Sequence, residues 1–225
     1  MLDKVELNPE NKAEWAVVWL HGLGADGNDF VPAVPELRLP ADASVKFVFP
    51  HAPVRPVTVN GGMPMRAWYD ILAMGEIREV NEAHLGEART QLFDLLDGLN
   101  EEGIPDPRIV LIGFSQGGAL GYHGVIDGQR AVAGLACLST YRIGDTASAT
   151  ADTNLPIFVA HGDWDPVVPQ ALGRAGFESL CREGYRPSWH SYPMEHQVCI
   201  EELRDLGQWL KSRVGIGEED QAFGK

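Results

Sequence analysis

Short apolar runs separated by longer helical patterns organise the chain. Residues 15–20, 45–49, 108–112, 131–138 and 156–160 are rich in Val, Ile, Leu, Phe and Trp, with little alternation. Runs apolar on both faces suit strands inside a parallel sheet that is covered on both sides. Residues 187–192 alternate and form a weaker sixth candidate. Between these runs lie helical periodicities. Asn81 is placed to cap a helix whose apolar residues Leu85, Ala88, Leu92, Leu95, Leu96 and Leu99 recur at three and four, and Gly103 and Pro105 stop it. Residues 116–126 predict a short, glycine-bearing helix, and 169–181 and 198–213 two more. This βαβα order implies right-handed crossovers. The expected architecture is a single α/β domain over 1–213, with a mostly parallel sheet and helices on both faces. A frayed tail is expected at 214–225. Residues 51–75, rich in Pro, Gly and Met, break the rhythm and predict an irregular functional loop.

Length agrees with one core: 225 residues bury a full interior and divide poorly into two domains. Hydrophobic residues make up 44% and charged residues 22%, as in ordinary globular chains. The formal net charge of -14 repels phosphate backbones and anionic lipid, and no basic patch offsets it. Nucleic acid is therefore not an expected partner. Cys137, Cys181 and Cys199 form no CxxC pair and are odd in number, which fits a reducing compartment. The N-terminus lacks an apolar signal core, and no stretch approaches the roughly 18 apolar residues that span a membrane. Cytoplasm is the default expectation.

The strongest chemical signal is Gly113-Phe114-Ser115-Gln116-Gly117, a G-x-S-x-G directly after a predicted strand and directly before a helix. A sharp turn there exposes the serine, flanking glycines remove clashing Cβ atoms, and the helix N-terminus offers free N–H groups. Serine needs a base to become a nucleophile. Of the seven histidines, His196 alone follows a late strand in the loop before the last helix. His21 and His161 sit in glycine turns, His51 is the nearest rival, His84 and His123 fall in helices, and His190 in a strand. For the acid, Asp163 and Asp165 both follow the strand at 156–160, and periodicity does not separate them. An oxyanion hole requires two amides. Gln116, after the nucleophile, supplies one, and Leu23, in the glycine-rich run from His21 to Gly27, is placed for the other. That run lacks the lysine of a phosphate-binding loop.

Five segments together resemble the carboxylesterase, acyl-protein thioesterase and lysophospholipase family of small α/β-hydrolases. They are Leu20 to Gly27, Ala67-Trp68-Tyr69-Asp70-Ile71, Gly113 to Leu120, His161 to Pro169 and Tyr192-Pro193-Met194-Glu195-His196. The likeness runs from about residue 15 to 209. It implies an α/β-hydrolase fold and cleavage of carboxylic esters, thioesters or lysophospholipids, with neither cofactor nor metal. It implies Asp165 as the acid, His196 as the base, Leu23 and Gln116 as oxyanion donors, Trp68 beside the acyl pocket, and a possible homodimer. Two departures stand out. Arg142 and Ile143 occupy positions where relatives carry a small or apolar residue and then Pro, which marks them as candidate substrate contacts. Gly121, His123 and Gly124 replace an aliphatic run and are expected to loosen the helix after the serine. The alternatives are another acyl bond (lactone or peptide) cut by the same residues, a non-catalytic binding protein of this fold, and a metal hydrolase using Asp163, Asp165 and nearby histidines.

Overall fold

A computed structural model describes residues 2–75, 78–144 and 152–216. In chain order its strands and helices are β1 (Lys4–Leu7), β2 (Trp15–Leu20), β3 (Val45–Pro50), β4 (Val54–Val57), β5 (Met63–Arg66), β6 (Ile71–Ala73), β7 (Glu79–Val80), α1 (Glu82–Glu101), β8 (Ile109–Phe114), α2 (Gln116–Gly121), β9 (Gly134–Leu138), β10 (Ile157–Gly162), α3 (Gln170–Arg182), β11 (Ser188–Tyr192) and α4 (Ile200–Arg213). Seven strands form one sheet in the order β1-β3-β2-β8-β9-β10-β11. Within it only β1 runs antiparallel; the other pairings are parallel. This is the α/β-hydrolase type of architecture.

Alternate residues of each central strand feed two separate cores, as a pleated strand requires. Ala16, Val18 and Leu20 pack with the six apolar residues of α1, with Ala119 and Leu120 of α2, and with Leu180 of α3. Val17 and Trp19 pack on the opposite face with Leu203, Leu206 and Leu210 of α4 and with Leu37, from a 3₁₀ segment Val31–Leu37. Helices therefore cover both faces. The Asn81 side chain accepts the His84 amide at 3.0 Å and caps α1 as its sequence predicts.

Several elements depart from the sequence pattern. β1 is too short and polar to show a period, and it is held only along one edge of β3. The strand expected from 131 begins instead at Gly134, where a Cβ would lie 2.9 Å from the Trp209 ring. Beyond Gly121, α2 widens into a π-helical turn, Tyr122–Asp127. The departures Gly121, His123 and Gly124 lie at this change. Residues 51–75 hold the hairpin β4–β5 and also β6, which pairs with β7 beyond it. Apolar packing continues past 213, since Val214 is buried and Ile216 partly so; the rest of the expected tail, 217–225, lies outside the described residues. Among those residues, no helix is long and apolar enough to cross a membrane.

One buried carboxyl gives the fold's stability a pH dependence. Glu202, three residues after the N-cap Cys199, is fully buried, and neither carboxylate oxygen reaches a hydrogen-bond partner of good geometry. Burial pushes its pKa from 4.5 up to about 8, and the nearby Cys199 amide offsets only part of that. The folded pKa exceeds the unfolded one, so the folded state keeps a proton that the unfolded chain releases. Stability is expected to fall by a few kcal/mol, in order of magnitude, as pH rises from about 4.5 to about 8, and then to level off. Denaturant titrations of Glu202→Gln across this range should show the slope reduced. An unchanged slope would assign it to other groups.

Candidate active site

Ser115 sits between the last residue of β8 and the first of α2, at φ 53° and ψ -119°. That conformation is strained for a residue with a side chain, so its surroundings must hold it. The Ser115 amide donates to the Leu138 carbonyl at 2.9 Å. Its own carbonyl accepts the Gly118 amide at 3.0 Å and the Thr140 hydroxyl at 2.6 Å. The glycines are steric necessities. A Cβ on Gly113 would lie 2.4 Å from the Gly117 carbonyl oxygen, and one on Gly117 would lie 2.5 Å from that of Leu20. Both positions therefore admit only hydrogen, and α2 approaches the sheet closely enough to force the turn.

Asp165 and His196 come from the loops after β10 and β11. Those loops are stitched together by the Asp163 amide on the Tyr192 carbonyl, 2.8 Å, and the Trp164 amide on the Met194 carbonyl, 3.1 Å. Gly162 permits the approach, because a Cβ there would fall 2.4 Å from the carbonyls of Met194 and Glu195. Asp165 Oδ1 accepts the amides of Val167 at 2.9 Å and Val168 at 2.8 Å, and Oδ2 lies 2.6 Å from His196 Nδ1. His196 Nε2 lies 2.9 Å from Ser115 Oγ. The Phe114 ring, with its centroid 4.9 Å away, braces the imidazole. Burial alone would raise the Asp165 pKa, but the His196 hydrogen bond and the two amides outweigh it and hold the carboxyl below its usual range. An ionised Asp165 accepts a hydrogen bond from the His196 Nδ1–H, which leaves the Nε2 lone pair toward the serine.

The other candidates have different employment. Asp163 accepts the Gln170 side chain at 2.9 Å. His21 is buried, donates from Nδ1 to the Gly22 carbonyl and accepts the Ala52 amide at Nε2. Burial lowers its pKa to about 4, which keeps it neutral. His161 Nε2 donates to the Val168 carbonyl at 2.8 Å, and His51 Nδ1 accepts the Gly27 amide at 2.9 Å. Among the described residues, no group of three or more His, Cys, Asp or Glu could hold a metal ion.

A cavity of about 300 Å³ opens beside Ser115 and His196. Leu23, Ile71, Met74, Phe114, Gln116, Tyr141, Val167 and Val168 form most of its wall, with Asp29, Asn60 and Arg78 as polar members. Leu23 and Gln116 thus both border it. Gln116 opens α2, so its amide has no helical acceptor, and neither amide makes a turn or loop backbone hydrogen bond among the described residues. The Gln116 side chain is clamped: Oε1 accepts the Trp68 amide and Nε2 donates to the Tyr69 carbonyl, both at 2.7 Å.

Three expected substrate contacts are corrected. Trp68 is fully buried behind Gln116, with its indole N–H on the His21 carbonyl at 2.9 Å; it supports the wall and does not form it. Arg142 turns away from the cavity and pairs with Asp127 at 2.9 Å and with Glu183. Ile143 packs on the core instead. Residues 145–151, which follow this segment, lie outside the described residues. Sequence reasoning misses Tyr141, Asp29 and Arg78. Tyr141 is one position from an expected contact, whereas no local pattern marks the other two. A larger cavity, about 380 Å³, lies at the opposite ends of the strands, between Pro107, Val132, Leu155 and Tyr185, far from this chemistry.

Comparison with known proteins places the chain in a family. Acyl-protein thioesterase 1 of Neurospora crassa is 38% identical over 211 residues, covering 88% of this chain and 86% of that protein. Its namesake from Cryptococcus neoformans is 33% identical over 231 residues, covering 93% and 96%. The crystal structure of Arabidopsis thaliana SOBER1 superposes with a TM-score of 0.82 at 28% identity, over 90% of this chain and 100% of that one. The model of the phospholipase/carboxylesterase family matches residues 3–214. The chain belongs to the phospholipase/carboxylesterase family of α/β-hydrolases.

Proposed function

We propose that this chain hydrolyses carboxylic esters and thioesters through an acyl-enzyme on Ser115. The hydrogen-bonded series Asp165–His196–Ser115 at the wall of the cavity carries the reading. His196 Nε2 takes the Ser115 proton as Oγ attacks the carbonyl carbon, and Asp165 orients the ring and stabilises its cation. The Leu23 and Gln116 amides receive the oxyanion; one such donor is typically worth about 3–4 kcal/mol in the transition state. His196 then returns the proton to the departing alcohol or thiol. Water, activated by the same imidazole, releases the acid. The naming of two relatives as acyl-protein thioesterases supports the thioester side of the range.

An alkyl fluorophosphonate tests the nucleophile directly. Intact-mass spectrometry should show one adduct per chain, and peptide mapping should place it on Ser115. No adduct, or an adduct on another residue, would overturn the proposal.

A further inference from the structure

The cavity beside Ser115 is mostly apolar, yet a guanidinium forms part of its wall. Arg78 donates from Nη2 to the Val167 carbonyl, and its guanidinium carbon stands 5.3 Å from the centre of the Tyr141 ring. Its Nε is buried without an acceptor. Among the described residues, no carboxylate lies within 4 Å of it. Arg66 is met in the same way, by the Ala52 carbonyl, whereas two other partly buried arginines have carboxylates. Arg142 is held by Asp127 and Glu183, and Arg130 by Asp97 and Asp106. The chain has 32 acidic and 18 basic residues, so the absence beside Arg78 does not reflect a shortage of carboxylates. Asp29 borders the same cavity but makes no ion pair with Arg78. A half-buried cation with donors to spare is stabilised by an anion that arrives from outside, and a guanidinium suits a planar carboxylate in particular.

We propose that Arg78 is a specificity-determining residue, selecting esters or thioesters that carry a carboxylate a few bonds from the scissile carbonyl. This inference rests on the hydrolase reading of Ser115. The carboxylate belongs to the acyl part or to the leaving group, and two substrate pairs distinguish these. One pair is the mono-4-nitrophenyl ester of a medium-chain dicarboxylic acid and its neutral methyl diester. The other is 4-acetoxybenzoate and its methyl ester.

In one of the pairs, kcat/KM for the anionic member is expected to exceed that for the neutral member by about tenfold, the scale of one charge-assisted hydrogen bond. Arg78→Met should remove that preference, Arg78→Lys should restore part of it, and added salt should narrow it in the wild type. Equal rates for both members of both pairs, or an unaltered ratio in Arg78→Met, would overturn the inference. So would an equal loss on anionic and neutral members, which would assign Arg78 to holding Val167 beside the acid loop. Ser115-dependent turnover of neutral esters without discrimination would sink this inference and leave the hydrolase reading standing. No Ser115-dependent turnover of any ester would sink both.

Discussion

Ser115→Ala is expected to lower kcat/KM toward a short-chain aryl ester by on the order of 10⁵-fold while the protein remains folded. The two halves of this expectation have separate causes. Activity should fall because the only atom removed is the proposed nucleophile, and among the described residues no other hydroxyl hydrogen-bonds His196 Nε2. Residual turnover comes from the Leu23 and Gln116 amides, which still polarise a bound carbonyl for attack by water. Stability persists because the turn is held through the backbone: the Ser115 amide on Leu138, the Ser115 carbonyl under Gly118 and Thr140, and the glycines at 113 and 117. Alanine at φ 53° carries the same Cβ and the same strain as serine. Circular dichroism and the thermal midpoint should stay near wild type. A folded variant retaining more than about a hundredth of wild-type turnover would remove Ser115 from the mechanism.

Much of this arrangement is legible along the chain because packing imposes a period. The α1 stripe from Leu85 to Leu99 and the unbroken apolar runs of β2, β8 and β10 announce their burial, and all but Trp15 and Phe114, at strand ends, are buried. The glycines around Ser115 are legible for a steric reason that the distances of 2.4 and 2.5 Å make explicit. Other features leave no local trace. Whether Asp163 or Asp165 meets His196 depends on which carboxylate faces the loop after β11, a relation between segments about thirty residues apart. The family resemblance points to Asp165, and the 2.6 Å contact to His196 is on that residue. Arg142 is expected near the substrate because the family pattern has a small or apolar residue there, yet its guanidinium is taken up by Asp127 and Glu183. Its neighbour Tyr141 lines the cavity instead. β1 and the hairpins between 51 and 80 are short edge pieces, set by what they pair with and not by an apolar period.

Asp165→Asn separates orientation from charge. The asparagine keeps an oxygen that can accept the Val167 and Val168 amides, so the loop has reason to stay in place. That choice turns the side-chain N–H₂ toward His196 Nδ1, where the carboxylate had been an acceptor. Two donors cannot face one another, so the imidazole proton moves to Nε2 and points at Ser115 Oγ. The ring then cannot take the serine proton, and the cation formed during attack has lost its counter-charge. kcat is expected to fall roughly 10³–10⁴-fold, with KM changed little, because the cavity walls are untouched.

Stability supplies an independent check on the same substitution. The folded pKa of Asp165 lies below its unfolded value, so its ionised form stabilises the fold above the ordinary carboxylate range. That contribution is lost as pH falls through the depressed folded pKa, and the amide variant never has it. The stability gap between wild type and Asp165→Asn should therefore be widest near neutrality and close in acid. Asp163→Asn is the matched control. Its oxygen can still accept the Gln170 side chain, and it should retain most of the activity. If Asp163→Asn loses activity as severely as Asp165→Asn, the imidazole takes its orientation from elsewhere and the role given to Asp165 is wrong.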